Sequence, residues 1–222
     1  MGDTIITVEG HFDYHHPAER GTVTLSAGFE GPDRGAVVTR TTGTHSTLVT
    51  QAQQLSSSGS VTWFSADRMR AWSERPWNSD GKQLPLVHHA SVSLEVKFAD
   101  LGALAEWAET IATVEGVTVA GIRWALTEVT KARITAEAQN RAVQDAVSRA
   151  TAYAQSLGLS SVRPLAVADP GMLGDESRPQ PSVGAAPMSR ALAATSGGSG
   201  GLDLKPEDIT VASRVHARFA AS

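Results

Sequence analysis

The stretch "LVHHASVSLEVKFADLGALAEWAETI", Leu86–Ile111, decides the fold. Its first half alternates. Leu86, His88, Ala90, Val92, Leu94, Val96 and Phe98 fall on one side, and His89, Ser91, Ser93, Glu95 and Lys97 on the other. A period of two places successive side chains on opposite faces of a strand. One apolar and one polar face describe a half-buried strand of an antiparallel sheet, wet on one side. The alternation stops at Asp100, whose short carboxylate suits a helix N-cap. Beyond it Leu101, Leu104, Ala105, Ala108 and Ile111 recur at helical spacing, so a short helix turns its apolar side inward.

The same reading extends in both directions. "TIITVEG" (Thr4–Gly10) and "TVTLSAGFE" (Thr22–Glu30) have strand character. The segment between them, with His11, His15, His16, Pro17 and Gly21, is expected to be a polar joint. After "GPDRG", Val38, Thr41, His45, Leu48, Ala52 and Leu55 trace a thin helical face rich in threonine. Val61–Trp72 reads as one strand, and Asp80-Gly81 as a hairpin signal before the decisive strand. Val117–Leu126 is a further strand. A long helix from about Thr130 to Leu157 follows, with Ala136, Val143, Ala146, Val147, Ala150, Ala154 and Leu157 on its packing face and Gly158 as its stop. Ser161–Asp169 and Asp208–Ala220 are the last strands, the latter with Ile209, Val211, Ser213, Val215, Ala217 and Phe219 on one face.

The order is therefore β-β-α-β-β-α-β-α-β-loop-β. It predicts an α+β fold with helices on one face of a mainly antiparallel sheet. Residues 1–169 with 205–222 are expected to form a single domain, and 170–204 a Gly/Pro/Ser-rich loop or insertion.

Composition narrows the function. The net charge of −4 has no basic block behind it, which argues against a nucleic-acid partner. The chain has no cysteine, which excludes disulfides, thiolate metal sites and thiol nucleophiles. No apolar run approaches the roughly 18 residues of a membrane span. "MGDTIITVEG" shows no signal-peptide pattern, so a cytoplasmic location is expected.

Four stretches, in this order, resemble the SIMPL-domain proteins, a bacterial family with a domain of unknown function. They are "ITVEGHFDYHHPAERGTVTLSAGFEG", "VSLEVKFADLGALAEWAETIATVEGVTVAGIRWAL", "EAQNRAVQDAVSRATAYAQSLGL" and "LKPEDITVASRVHARFA". In the third, Ala142, Asp145, Ala146, Ala150, Ala154 and Gly158 fall on the positions usual for that family's helix. Two features differ. Family members usually begin with a signal peptide, and commonly have Pro-Asp where this chain has Pro17-Ala18. The resemblance implies an α/β subunit that can assemble into large homo-oligomeric rings. It carries over no catalytic residue.

The candidate chemistry is sparse. In an extended segment His11, Asp13 and His15 point to one side and could ligate zinc or nickel, but the third protein ligand would have to come from elsewhere. The plainer reading is an exposed joint, so no metal site is assigned. His45, on an apolar helical face, is expected to be a hydrogen-bonded, partly buried histidine. His88 and His89 point to opposite faces of one strand, and His216 lies on the polar face of the last. There is no G-x-S-x-G nucleophile elbow. "SGGSGG" lacks the lysine and following helix of a phosphate loop. Asp145 and Arg149, four apart on the long helix, read as a surface pair. Trp124 shares a strand face with Ile122 and Leu126 and reads as core. Trp72 and Trp77 flank the polar hairpin, and an exposed pair there would be an interface.

The expectation is a non-enzymatic, self-assembling protein acting as a homo-oligomeric scaffold, shell or binding platform larger than a dimer. It has no catalytic residues and no cofactor, and Trp72 and Trp77 form its interface. The alternatives are a histidine-dependent metal-binding protein or enzyme, and a monomeric module that recruits a partner.

Overall fold

A computed structural model describes residues 4–77, 79, 83–174 and 205–222. The Asp80-Gly81 hairpin signal and "SGGSGG" lie outside the described residues, as does most of the 170–204 segment. Among the described residues no helix is long and apolar enough to cross a membrane.

The elements are β1 (Thr4–Pro17), β2 (Arg20–Gly31), α1 (Arg34–Ser57), β3 (Val61–Ala66), β4 (Arg70–Glu74), β5 (Val87–Phe98), α2 (Leu101–Ala112), β6 (Val117–Ala125), α3 (Glu128–Ser156), β7 (Val162–Ala168) and β8 (Asp208–Ala221). The fold is α+β with antiparallel pairing throughout, in the expected order apart from one divided strand. The elements gather into two compact units. Of the described residues, one unit takes those in 4–17, 126–174 and 208–222, and the other those in 18–125 and 205–207.

In the first unit the sheet order is β1-β8-β7. β1 corrects the sequence reading. It does not end at Gly10 but runs unbroken through the histidines, in register with β8 from Thr4↔Ala221 to Pro17↔Asp208. The polar run alternates as a strand does. Phe12 and Tyr14 turn inward, while His11, Asp13 and His15 stay exposed. Helix α3 lies on the inner face, beginning at Thr127, whose side chain accepts from the Thr130 amide. Its buried stripe is Ile134, Ala138, Ala142, Ala146, Ala150 and Ala154. Of the expected face, Ala136, Val147 and Leu157 are exposed instead. The true stripe keeps a strict spacing of four, and small side chains let helix and strand backbones come close. At Gly10 a Cβ would lie 2.7 Å from the Ala146 amide nitrogen. Gly158, at φ +77°, ends the helix as expected.

In the second unit the sheet order is β3-β5-β2-β6, with β4 also on β5. Helices α1 and α2 pack on one face of it. Val23, Leu25, Val92, Leu94, Val96 and Phe98 from the sheet bury against Leu48 and Ala52 of α1 and Leu104, Trp107 and Ile111 of α2. The buried positions of β5 follow the expected alternation from Ala90 to Phe98. Leu86 lies outside the strand and is exposed. Asp100 caps α2 by accepting from the amides of Gly102 and Ala103. The inward face of α1 begins at Val37 rather than Val38. Four of its six threonines are satisfied locally. The hydroxyls of Thr41, Thr42, Thr47 and Thr50 each donate to the carbonyl four residues back.

The strand expected over Val61–Trp72 is two. Ala66 pairs with Leu94 and Arg70 with Ser91, so Asp67–Met69 face only two residues of β5. The extra residue is a bulge, held where the Asp67 amide donates to the Ser93 carbonyl at 3.0 Å. The strand around Leu86–Phe98 is also not an edge, because β5 is paired on both sides. Among the described residues the edges of this sheet are β6 on one side and β3 with β4 on the other.

Candidate functional site

The outer face of the second unit's sheet collects the polar alternates of β2, β4 and β5. Cross-strand pairing sets His89 opposite Trp72. The two rings stack, with centroids 5.1 Å apart and planes 9° from parallel. Two carboxylates flank the imidazole. Glu30 Oε2 lies 3.3 Å from Nδ1, and Glu74 Oε1 lies 3.4 Å from Nε2. The Glu74 contact has an ion pair's distance but not a hydrogen bond's alignment, and Nε2 has no hydrogen-bond partner. The His89 side chain is 16% exposed. Stacking and the two flanking carboxylates fix the ring, and the ring fixes Trp72.

His88 points to the other face, as its position in the strand requires. Its Nδ1 is 2.6 Å from Ser73 Oγ, which also receives Arg34 at 3.3 Å. A serine within reach of a histidine is the start of a nucleophile–base pair. Among the described residues no carboxylate bonds the second nitrogen of His88, so the third, orienting member is missing.

Beside Trp72 the β3–β4 bulge walls off an open cleft of about 670 Å³. Its lining includes Asp67, Arg68, Arg70, Trp72, Ser91 and Ser93, with Ala71 and Val92 between them. Trp72 is 44% exposed and Trp77, just past β4, is 87% exposed. Trp72 therefore lies on the strand itself with one face against His89, and only Trp77 stands clear of the sheet.

The remaining histidines do not converge. The His11 amide donates to Asp145 Oδ2 at 3.0 Å, and Arg149 donates both to that oxygen at 2.8 Å and to His11 Nδ1 at 2.9 Å. Asp145 and Arg149 are thus more than the surface pair read from their spacing, because they hold the backbone of edge strand β1. The His11 amide bond, with Arg149 nearby, draws the Asp145 carboxyl below its usual pKa. His15 Nδ1 meets Thr210 Oγ1 at 3.0 Å, and His16 Nδ1 meets the Pro17 carbonyl at 2.8 Å. His216 lies 3.3 Å from Glu9 Oε2 and accepts from the Gly171 amide. His45 is half-buried as expected, but among the described residues its Nε2 has no hydrogen-bond partner. Among the described residues no group of three or more His, Asp or Glu is placed to hold a metal ion.

Of the other tryptophans, Trp107 is buried and donates to Gln51 at 3.0 Å. Trp124 is half-buried and packs against the second unit's core. Sequence reasoning missed the Trp72–His89 stack and the cleft. The signal available was the strand alternation, which sets His89 on the outer face; the bulge that brings Trp72 opposite it has no signature in "SADRMRAW".

A comparison with curated proteins found no match. The family model SIMPL, described as a protein of unknown function (DUF541), matches residues 6–219, and with nearly its whole length inside that match the chain belongs to the SIMPL family.

Proposed function

We propose that the protein is a non-enzymatic, self-assembling platform, a homo-oligomer larger than a dimer whose partner is another copy of itself. The observation that carries this reading is β4. All five of its residues are exposed, and among the described residues it pairs on one side only, with β5. An edge strand leaves backbone donors and acceptors free for another strand. It contains no proline, the residue that commonly blunts an edge, whereas edge strand β7 carries Pro164. Trp77 follows it almost fully exposed, a large rigid side chain of the type that anchors interfaces. The strand up to Glu74 thus offers backbone pairing, and Trp77, just beyond Pro76, an aromatic anchor. Contact between this edge and an unlike surface on the next copy is heterologous, and a heterologous contact that closes makes a ring.

Size-exclusion chromatography with light scattering tests the reading. The expected result is a mass above that of a dimer at micromolar concentration. Trp72→Ala with Trp77→Ala should shift it to smaller species while circular dichroism stays unchanged. A wild-type protein that runs as a monomer would overturn it.

A further inference from the structure

The cleft beside the β3–β4 bulge shares Trp72 and the β4 strand with the proposed interface, but it adds cationic side chains that backbone pairing at an edge does not use. Its cationic wall is Arg68 and Arg70, both exposed. Neither has an ion-pair or hydrogen-bond partner among the described residues. One carboxylate, Asp67, lines the same cleft beside the two guanidinium groups, and the Glu30 and Glu74 carboxylates lie behind Trp72, at His89. The aromatic wall is Trp72, and it is preorganised. His89 stacks on the indole at 5.1 Å, and the Glu30 and Glu74 carboxylates flank its two ring nitrogens at 3.3 and 3.4 Å. The ring is therefore fixed before anything arrives, which lowers the ordering cost of binding. Ser91 and Ser93 complete the polar part of the lining. A volume of about 670 Å³ falls within the range of small-molecule sites.

We infer that this cleft binds a small anion carrying a planar aromatic ring. The ring lies on the indole of Trp72, and the carboxylate or phosphate is taken by Arg68 and Arg70. Each wall excludes a class of ligand. A ringless anion gains nothing from Trp72, and a neutral aromatic leaves the arginines unused. Guanidinium groups suit a planar carboxylate or phosphate because their paired N–H groups can donate side by side.

Isothermal titration calorimetry on the full chain tests this with two probes, 2-naphthoate and adenosine 5′-monophosphate. Their controls are acetate and inorganic phosphate, which lack the ring, and 2-naphthol and adenosine, which lack the anion. Saturable binding of at least one aromatic anion at one site per chain is expected, with each control weaker by tenfold or more, as loss of a charged hydrogen bond or an aromatic contact would give. Arg68→Ala with Arg70→Ala should weaken the bound probe about tenfold or more. Trp72→Ala should weaken it comparably, and Trp72→Phe should retain much of the affinity. Both arginines are exposed, so their variants should fold normally, with circular dichroism as the check. No saturable binding of either probe overturns the inference. So does binding that the arginine variant leaves unchanged, or binding of a glutamate-rich peptide where neither aromatic anion binds. The oligomer's mass, measured in parallel, is a separate readout. A monomer that still binds the probe would refute the assembly and leave the cleft standing.

Discussion

Replacing Gly10 by alanine should be among the most damaging single-methyl changes in the molecule. Gly10 lies on β1 against α3, and a Cβ there would come 2.7 Å from the Ala146 amide nitrogen and 2.8 Å from the Ala146 Cβ. It would come closer still to the Ala142 carbonyl oxygen. Two of these neighbours are backbone and the third is a methyl, so no side chain can rotate away. Carbon atoms sit comfortably at about 3.5–4.0 Å. The helix must then retreat from the strand by roughly 0.7–1.2 Å. A gap of that size forfeits a quarter to a half of each packing contact it opens. The loss would run along the stripe of Ala138, Ala142, Ala146, Ala150 and Ala154, which is fully or almost fully buried. Overpacking costs about 1–3 kcal/mol, and this site belongs at the upper end. Removing glycine from a strand returns roughly 0.5–1 kcal/mol of that. The net expectation is a loss of about 2–2.5 kcal/mol, or a fall in Tm of roughly 4–10 °C for a chain of this size. Urea unfolding followed by circular dichroism measures it. A loss below about 1 kcal/mol would mean that helix and strand separate easily, and would refute the close-packed account of α3.

Two further outcomes follow from other sites. Gly43 lies within α1 with nothing within 4 Å of where its Cβ would be, so Gly43→Ala should raise stability by about 0.5–1 kcal/mol; a Tm below wild type would contradict it. Asp145 has a folded-state pKa below its unfolded value, so its contribution is present above the unfolded pKa and is lost as pH falls through the folded one. Its side chain is about a third exposed, so Asp145→Asn should cost only about 1 kcal/mol near pH 7, and the difference from wild type should close in acid, below about pH 4. Urea midpoints of the two proteins that stay equally far apart across that range would show that the charge of Asp145 contributes nothing.

Strand periodicity survives translation into three dimensions wherever one face is buried. For β5 and β8 the apolar alternates are the buried ones, because a one-residue slip would turn the whole apolar set to water. Caps were equally legible. Asp100 starts α2 and Gly158 ends α3 through chemistry local to a few residues. The misses share a different cause. On α3 larger residues are available at Val147 and Leu157, but the approach of β1 at Gly10 admits only alanine, so the buried stripe follows volume rather than hydrophobicity. On β1 the histidine-rich run looks like a joint because nothing local favours a strand. It is a strand because β8 pairs with every residue of it and Asp145 takes up the His11 amide at its free edge. Such tertiary partners leave no mark in the local sequence.

The outer face of the second sheet shows the same division at the site. Sequence alternation places His89, Ser91 and Ser93 on the polar side of β5, and the structure keeps them there. What alternation cannot supply is the partner across the strand. With continuous pairing after Ala66, residue 69 would meet Ser91 and residue 71 would meet His89, giving a methionine and an alanine on the outer face. The single extra residue of the bulge shifts this register by one and brings Arg70 and Trp72 to that face instead. One unpaired residue thus exchanges a weakly apolar strip for an arginine and an indole. Bulges commonly serve to re-aim side chains in this way. The cleft, its aromatic wall and part of its positive charge all depend on the bulge, and so the candidate site rests on a feature that periodicity alone does not reveal.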